Sequence, residues 1–153
     1  MRFFLKYWLP VLIWLAVIFV GSTDLMSAEH TSRFIGPFLR WFVPDIPDAT
    51  VVSVQFFVRK CAHLTEYAIL ATLLCRAARP SIARPWRAAF LAFFVAAASA
   101  VLDEFHQSFV ASRTGNAVDV AIDCGGGLIG VVIYRSLGRT RATPKRRSGL
   151  PTP

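Results

Sequence analysis

The sequence predicts an all-α fold, an integral membrane bundle of four transmembrane helices with the N and C termini cytoplasmic. Three observations carry that prediction. Twelve of the 17 basic residues fall in three acid-free segments: Arg2 and Lys6, then Arg76, Arg79, Arg84 and Arg87, then Arg135, Arg139, Arg141, Lys145, Arg146 and Arg147. All nine acids lie between those segments with the other five basic residues, so the net charge of +8 divides into +12 and −4. Long apolar runs separate the basic segments, which is the pattern the positive-inside rule leaves in a chain that crosses a bilayer and returns. Finally, 55% hydrophobic residues and a mean hydropathy of +0.51 over 153 residues are too apolar for an ordinary soluble domain. Residues 1–153 therefore read as a single membrane domain. The isoelectric point near 10.3 does not point to nucleic acid, because the basic residues flank apolar spans instead of covering one face; anionic inner-leaflet lipid is the partner they fit.

The first span is expected at about 3–21, with Lys6 able to snorkel at its cytoplasmic end and Pro10 able to kink it. A cleaved signal peptide is disfavoured, since the apolar run is long and Leu25-Met26-Ser27-Ala28 is a poor cleavage site. Residues 22–50 are polar and proline-containing except 34–43, where Phe34, Ile35, Phe38, Leu39, Trp41 and Phe42 surround Arg40. Two placements are open for that stretch: on the outer headgroup layer, or folded back over the domain.

The second span is expected at about 54–75, followed by a cytoplasmic turn with Pro80 and Pro85. The third, about 86–102, carries Ala92, Ala96 and Ala100 as a small-residue ridge for close packing. The fourth, about 117–137, holds Gly125, Gly126, Gly127 and Gly130, with Gly126 and Gly130 spaced as a small-xxx-small pair. Spans three and four are expected to form a tight hairpin. Packing, not phosphate cradling, is the expected role of the glycines, because no strand precedes them. The tail, 138–153, is rich in Arg, Lys, Pro and Ser and is expected to be disordered and lipid-adherent. Three cysteines, Cys61, Cys75 and Cys124, make no full disulfide framework; buried thiols are the expected state, with a Cys61–Cys124 bridge as the alternative.

The chemistry lies in polar residues placed inside apolar runs. Lys60, His63 and Tyr67 fall within about 60° of one another on a helical wheel, with Glu66 at the edge of that stripe. Glu66, ten residues before Arg76, lies roughly 15 Å from the cytoplasmic boundary. Asp103, Glu104, His106 and Gln107 end the third span, while Asn116, Asp119 and Asp123 share a face of the fourth and Arg113 sits in the loop between. Three helices thus bring polar groups to the same outer half of the bilayer, where each charge costs about 2.5 to 3.5 kcal/mol unless it faces inward and is paired. Lys60 and Arg113 are the cations available to Asp103, Glu104, Asp119 and Asp123. A structural network stapling the helices is one reading. An outward-facing polar cavity is preferred, because acids outnumber nearby cations and histidines accompany them.

These motifs resemble a known pattern. Lys60-Cys-Ala-His63-Leu-Thr-Glu66-Tyr67, then Asp103-Glu104-Phe-His106-Gln107, then Arg113 and Asp119 before a glycine-rich helix, are similar to the VanZ-like family of bacterial membrane proteins, over about 60–130. The resemblance implies a small multi-pass protein of the bacterial cytoplasmic (inner) membrane and cell envelope, in a family linked to resistance to the glycopeptide teicoplanin. It implies signature positions at His63, Glu66, Tyr67, Asp103, Glu104, Gln107, Arg113 and Asp119 but no catalytic roles. Asp123 stands where many relatives are expected to have Asn, and the first span and residues 22–50 are expected to fall outside the signature.

The leading functional expectation is binding or processing of an amphiphilic ligand in the polar cavity of Lys60, His63, Glu66, Tyr67, Asp103, Glu104, Gln107, Arg113, Asp119 and Asp123. Lys60 and Arg113 would engage a phosphate or carboxylate, and Asp103, Glu104 and Gln107 the polar groups of a sugar or peptide. The resemblance implies a lipid-linked envelope precursor or a glycopeptide as ligand, beside membrane lipids. No cofactor is expected in that reading, and catalysis is left open. The alternatives are an intramembrane hydrolase, with a divalent metal on His63, Glu66 and Asp103 or with Glu66 or His63 as general base, and a proton-coupled transporter.

Overall fold

The computed structural model describes residues 1–23, 28–111 and 115–140, and the described residues fold into helices without a strand. The helices are α1 (Arg2–Tyr7), α2 (Leu9–Ser22), α3 (Ala28–Phe42), α4 (Asp48–Ala78), α5 (Pro85–Gln107) and α6 (Ala117–Thr140). Residues 24–27, 112–114 and 141–153, and with them Arg113 and most of the tail, lie outside the described residues. The tail begins later than expected, since α6 continues to Thr140.

The expected first span is two helices. Proline has no N–H, so Pro10 near the start of α2 leaves the carbonyl four residues back, on Lys6, without its helical donor. The chain breaks at Trp8, and the Lys6 carbonyl instead accepts a hydrogen bond from Arg76 at 3.2 Å. Lys6 and Arg76 both lie over the Tyr7 ring, 5.3 and 5.8 Å from its centroid. Arg79, Pro85 and Arg135 line one pocket at the same end of the bundle, so the three acid-free segments meet there.

Helix α3 starts at Ala28, before the expected apolar stretch, and folds back along the first turns of α4. A Cβ on its Gly36 would lie 3.7 Å from Val51 and 3.8 Å from Gln55. Arg40 pairs with Asp48, and Phe34, Phe38 and Trp41 point outward.

Helix α4 is the hub, packed on α6, α5, α2 and α3. Pro47 precedes its first residue and Pro80 follows its last turn, so it runs 31 residues, or roughly 46 Å. It starts well before the expected 54–75. The α4–α6 interface corrects one expectation: Gly126 and Gly130 face α4, not α5. A Cβ on Gly126 would strike the Leu64 backbone, and one on Gly130 that of Ala68. Thr72 Oγ1 donates to the carbonyls of Ala68 at 2.8 Å and Gly130 at 3.2 Å. The Lys60–Asp119 and His63–Asp123 pairs continue the same register, so α4 and α6 run parallel. On the α5 side, Ala92, Ala96 and Ala100 are all buried, and Ala96 lies 3.6 Å from where a Gly127 Cβ would sit on α6.

Among the described residues, α5 and α6 are the two helices long and apolar enough to cross a membrane. α2 is apolar but has 14 residues. α4 is long enough but interrupted by Arg59, Lys60, His63 and Glu66.

Candidate functional site

The polar residues of four helices meet at the end of the bundle away from the basic segments. α4 supplies His63, the last turns of α5 supply Asp103 and Glu104, α6 supplies Asp123, and α2 ends there at Ser22. His63, Asp103, Glu104 and Asp123 each offer one nitrogen or oxygen ligand atom, and these atoms all lie within 4.8 Å of one another.

Each carboxylate is held differently. Asp103 Oδ1 accepts from the Ser22 hydroxyl, and Asp103 Oδ2 accepts from Gln107 Nε2 at 3.0 Å, one helical turn later. Glu104 Oε2 accepts the Asn116 backbone N–H at 2.8 Å, tying the start of α6 to the end of α5. Gly115 permits that approach, since a Cβ there would come within 2.5 Å of the Glu104 carbonyl oxygen. Glu104 Oε1 is buried and makes no hydrogen bond. Asp123 is 0% exposed, and neither of its carboxylate oxygens has a hydrogen-bond partner. Its Oδ1 lies 3.3 Å from His63 Nδ1, at a geometry that makes no hydrogen bond. Tyr67, one turn along α4 from His63, is fully buried with its hydroxyl also unpartnered. Buried polar groups are normally hydrogen-bonded, so five orphan atoms on His63, Tyr67, Glu104 and Asp123 mark an incomplete centre.

The other expected site residues fall around this centre. Lys60 is paired with Asp119 and packed over the Phe56 ring at 4.9 Å, so its ammonium is committed to a protein carboxylate. Glu66 is turned toward α2 instead of into the four-residue cluster: its backbone carbonyl accepts from Trp14 Nε1 at 2.9 Å, and its side chain lines a cavity there. Of the metal set His63, Glu66 and Asp103, the structure brings together His63 and Asp103, with Glu104 and Asp123 in place of Glu66. His106 faces Phe19 of α2, ring centroids 4.9 Å apart, and stays outside the cluster. The three cysteines are free thiols: Cys75 is buried, Cys124 half-buried and Cys61 exposed.

Between α2 and α4, under Ile35 of α3, a cavity of about 570 Å³ opens beside the cluster. Ile13, Val17, Val20 and Val58 are among its apolar lining residues, and Ser22, Arg59, His63 and Glu66 are its polar ones. Ser22 and Arg59 were not among the expected site residues. The available signal was slight: a hydroxyl closing the first apolar run, and a cation next to Lys60 in the second.

A family model described as VanZ/LLP1 matches residues 7–138. No curated protein and no solved structure matches the chain. The family match is longer than the 60–130 over which the motifs were read, and it takes in α2 and the 22–50 segment. Every residue of the four-residue cluster and of the cavity wall lies within it, and the chain belongs to the VanZ/LLP1 family of membrane proteins.

Proposed function

We propose that the chain crosses the bacterial cytoplasmic membrane four times, with its basic end inside, and binds an amphiphilic envelope lipid between α2 and α4. The outward faces of α5 and α6 support the membrane placement: Phe90, Phe94, Val101, Leu128 and Val132 are large, apolar and exposed, as lipid-facing residues should be. Basic residues gathered at one end support the orientation. α1 and α2 together provide a short first crossing, and α4 buries its polar stripe against α6, α5 and α2.

One observation carries the ligand reading: the α2–α4 cavity is lined mostly by apolar residues, with Ser22, Arg59, His63 and Glu66 among them. Its volume lies in the range of about 300 to 1,000 Å³ usual for ligand pockets. A hydrocarbon chain lies along Ile13, Val17 and Val58, and its head group reaches Arg59, Ser22 and His63. Arg59 takes the anionic part of the head, the task the sequence suggests for Lys60 and Arg113. With Lys60 held by Asp119, Arg59 is the cation on the cavity wall. Membership in a family linked to glycopeptide resistance supports a lipid-linked cell-wall precursor as the ligand class.

Native mass spectrometry of the protein released from nanodiscs tests this. A polyprenyl-phosphate-linked precursor should be retained in preference to phosphatidylglycerol, and Val17→Trp, which fills the cavity, should weaken retention at least tenfold without lowering the melting temperature. Equal retention in wild type and Val17→Trp would remove the cavity from the function. Binding of teicoplanin without binding of the precursor would move the ligand class from lipid to antibiotic.

A further inference from the structure

We infer that His63, Asp103, Glu104 and Asp123 form a binding site for a divalent transition-metal ion at the head of the α2–α4 cavity. Ligand atoms around one such ion, each about 2.0 to 2.2 Å from it, lie no more than about 4.4 Å apart. The four side chains hold theirs within 4.8 Å, so side-chain adjustments of about 1 Å, toward the roughly 3.4 Å edges of a tetrahedral set, close it. One imidazole with three carboxylates is a donor set for zinc or manganese rather than for calcium, which takes oxygen alone.

Burial supplies the second observation. Asp123 is 0% exposed with neither oxygen hydrogen-bonded, Oδ1 lying 3.3 Å from His63 Nδ1, and Glu104 is 5% exposed with Oε1 making no hydrogen bond. Each residue turns one carboxylate oxygen into the cluster. Buried carboxylates side by side repel one another and have lost their water, and the nearest ammonium, on Lys60, is spent on Asp119. A divalent cation offsets the charge of this cluster, taking one ligand atom from each of the four side chains. The surrounding bonds fit this use, because ligand side chains are oriented by groups behind them: Ser22 and Gln107 hold Asp103, and the Asn116 N–H holds Glu104. His63 also lines the cavity, so the ion has access to the phosphate of a lipid head lying there. The site itself is independent of that lipid reading.

Metal content of the full chain, purified in mild detergent, stripped with chelator and reloaded with Zn(II) or Mn(II), tests the site. Wild type should hold about one ion per chain. His63→Ala and Asp123→Asn should each weaken binding at least tenfold. Co(II) loaded in place of Zn(II) should give visible absorption bands that Asp123→Asn abolishes. Glu66→Gln should keep the ion, separating this set from one built on His63, Glu66 and Asp103. Glu104→Gln, with a thermal melt on every variant, serves if Asp123→Asn does not fold. No ion above background in folded wild type, or binding unchanged in Asp123→Asn or Glu104→Gln, overturns the proposal. So does loss of the ion in Glu66→Gln to the same degree.

Discussion

The two sides of α4 are packed by opposite rules. Toward α6 the contact is backbone on backbone: Gly126 rests on Leu64 and Gly130 on Ala68, with no room for a methyl group. Toward α2 the contact is made by side chains: Val11 and Ile18 share a core cluster with Leu70 and Leu74, and Trp14 donates to the Glu66 carbonyl, beside a cavity of about 570 Å³. The tight side sets register. Once the glycines are seated, Asp119 must meet Lys60 and Asp123 must meet His63, because all four pairs follow one parallel alignment. The loose side gives access, since His63 is reached from the α2 cavity. A single helix therefore holds its polar groups rigidly from one face and exposes them from the other.

The sharpest way to break that contrast is to put a side chain into the tight side. In Gly130→Val the new Cβ would lie 2.8 and 2.9 Å from the Ala68 carbonyl carbon and Cα, and backbone in the middle of a 31-residue helix cannot step aside as a side-chain tip would. Overpacking of this kind costs about 3 kcal/mol. Thermal unfolding in detergent should show a large fall in melting temperature and yield. A melt like that of wild type would mean that α6 slides freely on α4.

The next largest effect separates register from charge. Lys60→Met leaves Asp119 largely buried without its cation; some residual exposure softens the penalty, which we expect at about 2 kcal/mol. Adding Asp119→Leu should recover most of that loss, because two apolar side chains fill the place of the pair with no stranded charge. If the double variant melts no higher than Lys60→Met, the pair does more than join α4 to α6, and Lys60 regains a claim to the ligand role read from the sequence.

How much of this was legible beforehand follows from the same contrast. Helical periodicity places Lys60, His63 and Tyr67 on one stripe, and the distance from basic loops places Asp103 and Asp123 at a similar depth, so the convergence of three helices was readable. Partner choice was not. Whether Lys60 meets Asp119 or a ligand, and whether Glu66 or Glu104 stands beside His63, depends on helix crossing, and that is set by which glycine touches which backbone. Adjacency in sequence points the glycine pair to an α5–α6 seam; periodicity alone does not say which of two neighbours a small face meets. The break at Trp8 was readable from Pro10, but the use of Arg76 to satisfy the freed Lys6 carbonyl needed the tertiary fold.

The smallest effect tests whether close approach is the reason for every glycine in this run. A Cβ on Gly125 meets nothing within 4 Å, unlike one on Gly126 or Gly130, although all three lie in the same two turns of α6. Gly125→Ala therefore adds a methyl group where there is space and removes the entropic cost of a mid-helix glycine, so it should stabilise the protein by about 0.5 to 1 kcal/mol. The melting temperature should rise slightly and metal content should stay as in wild type, because the α4–α6 register is untouched. A fall comparable to that of Gly130→Val would contradict the packing account directly. It would mean that α6 needs backbone freedom in the turn after Asp123, so that the side of α4 read as rigid would have to bend when the centre is used.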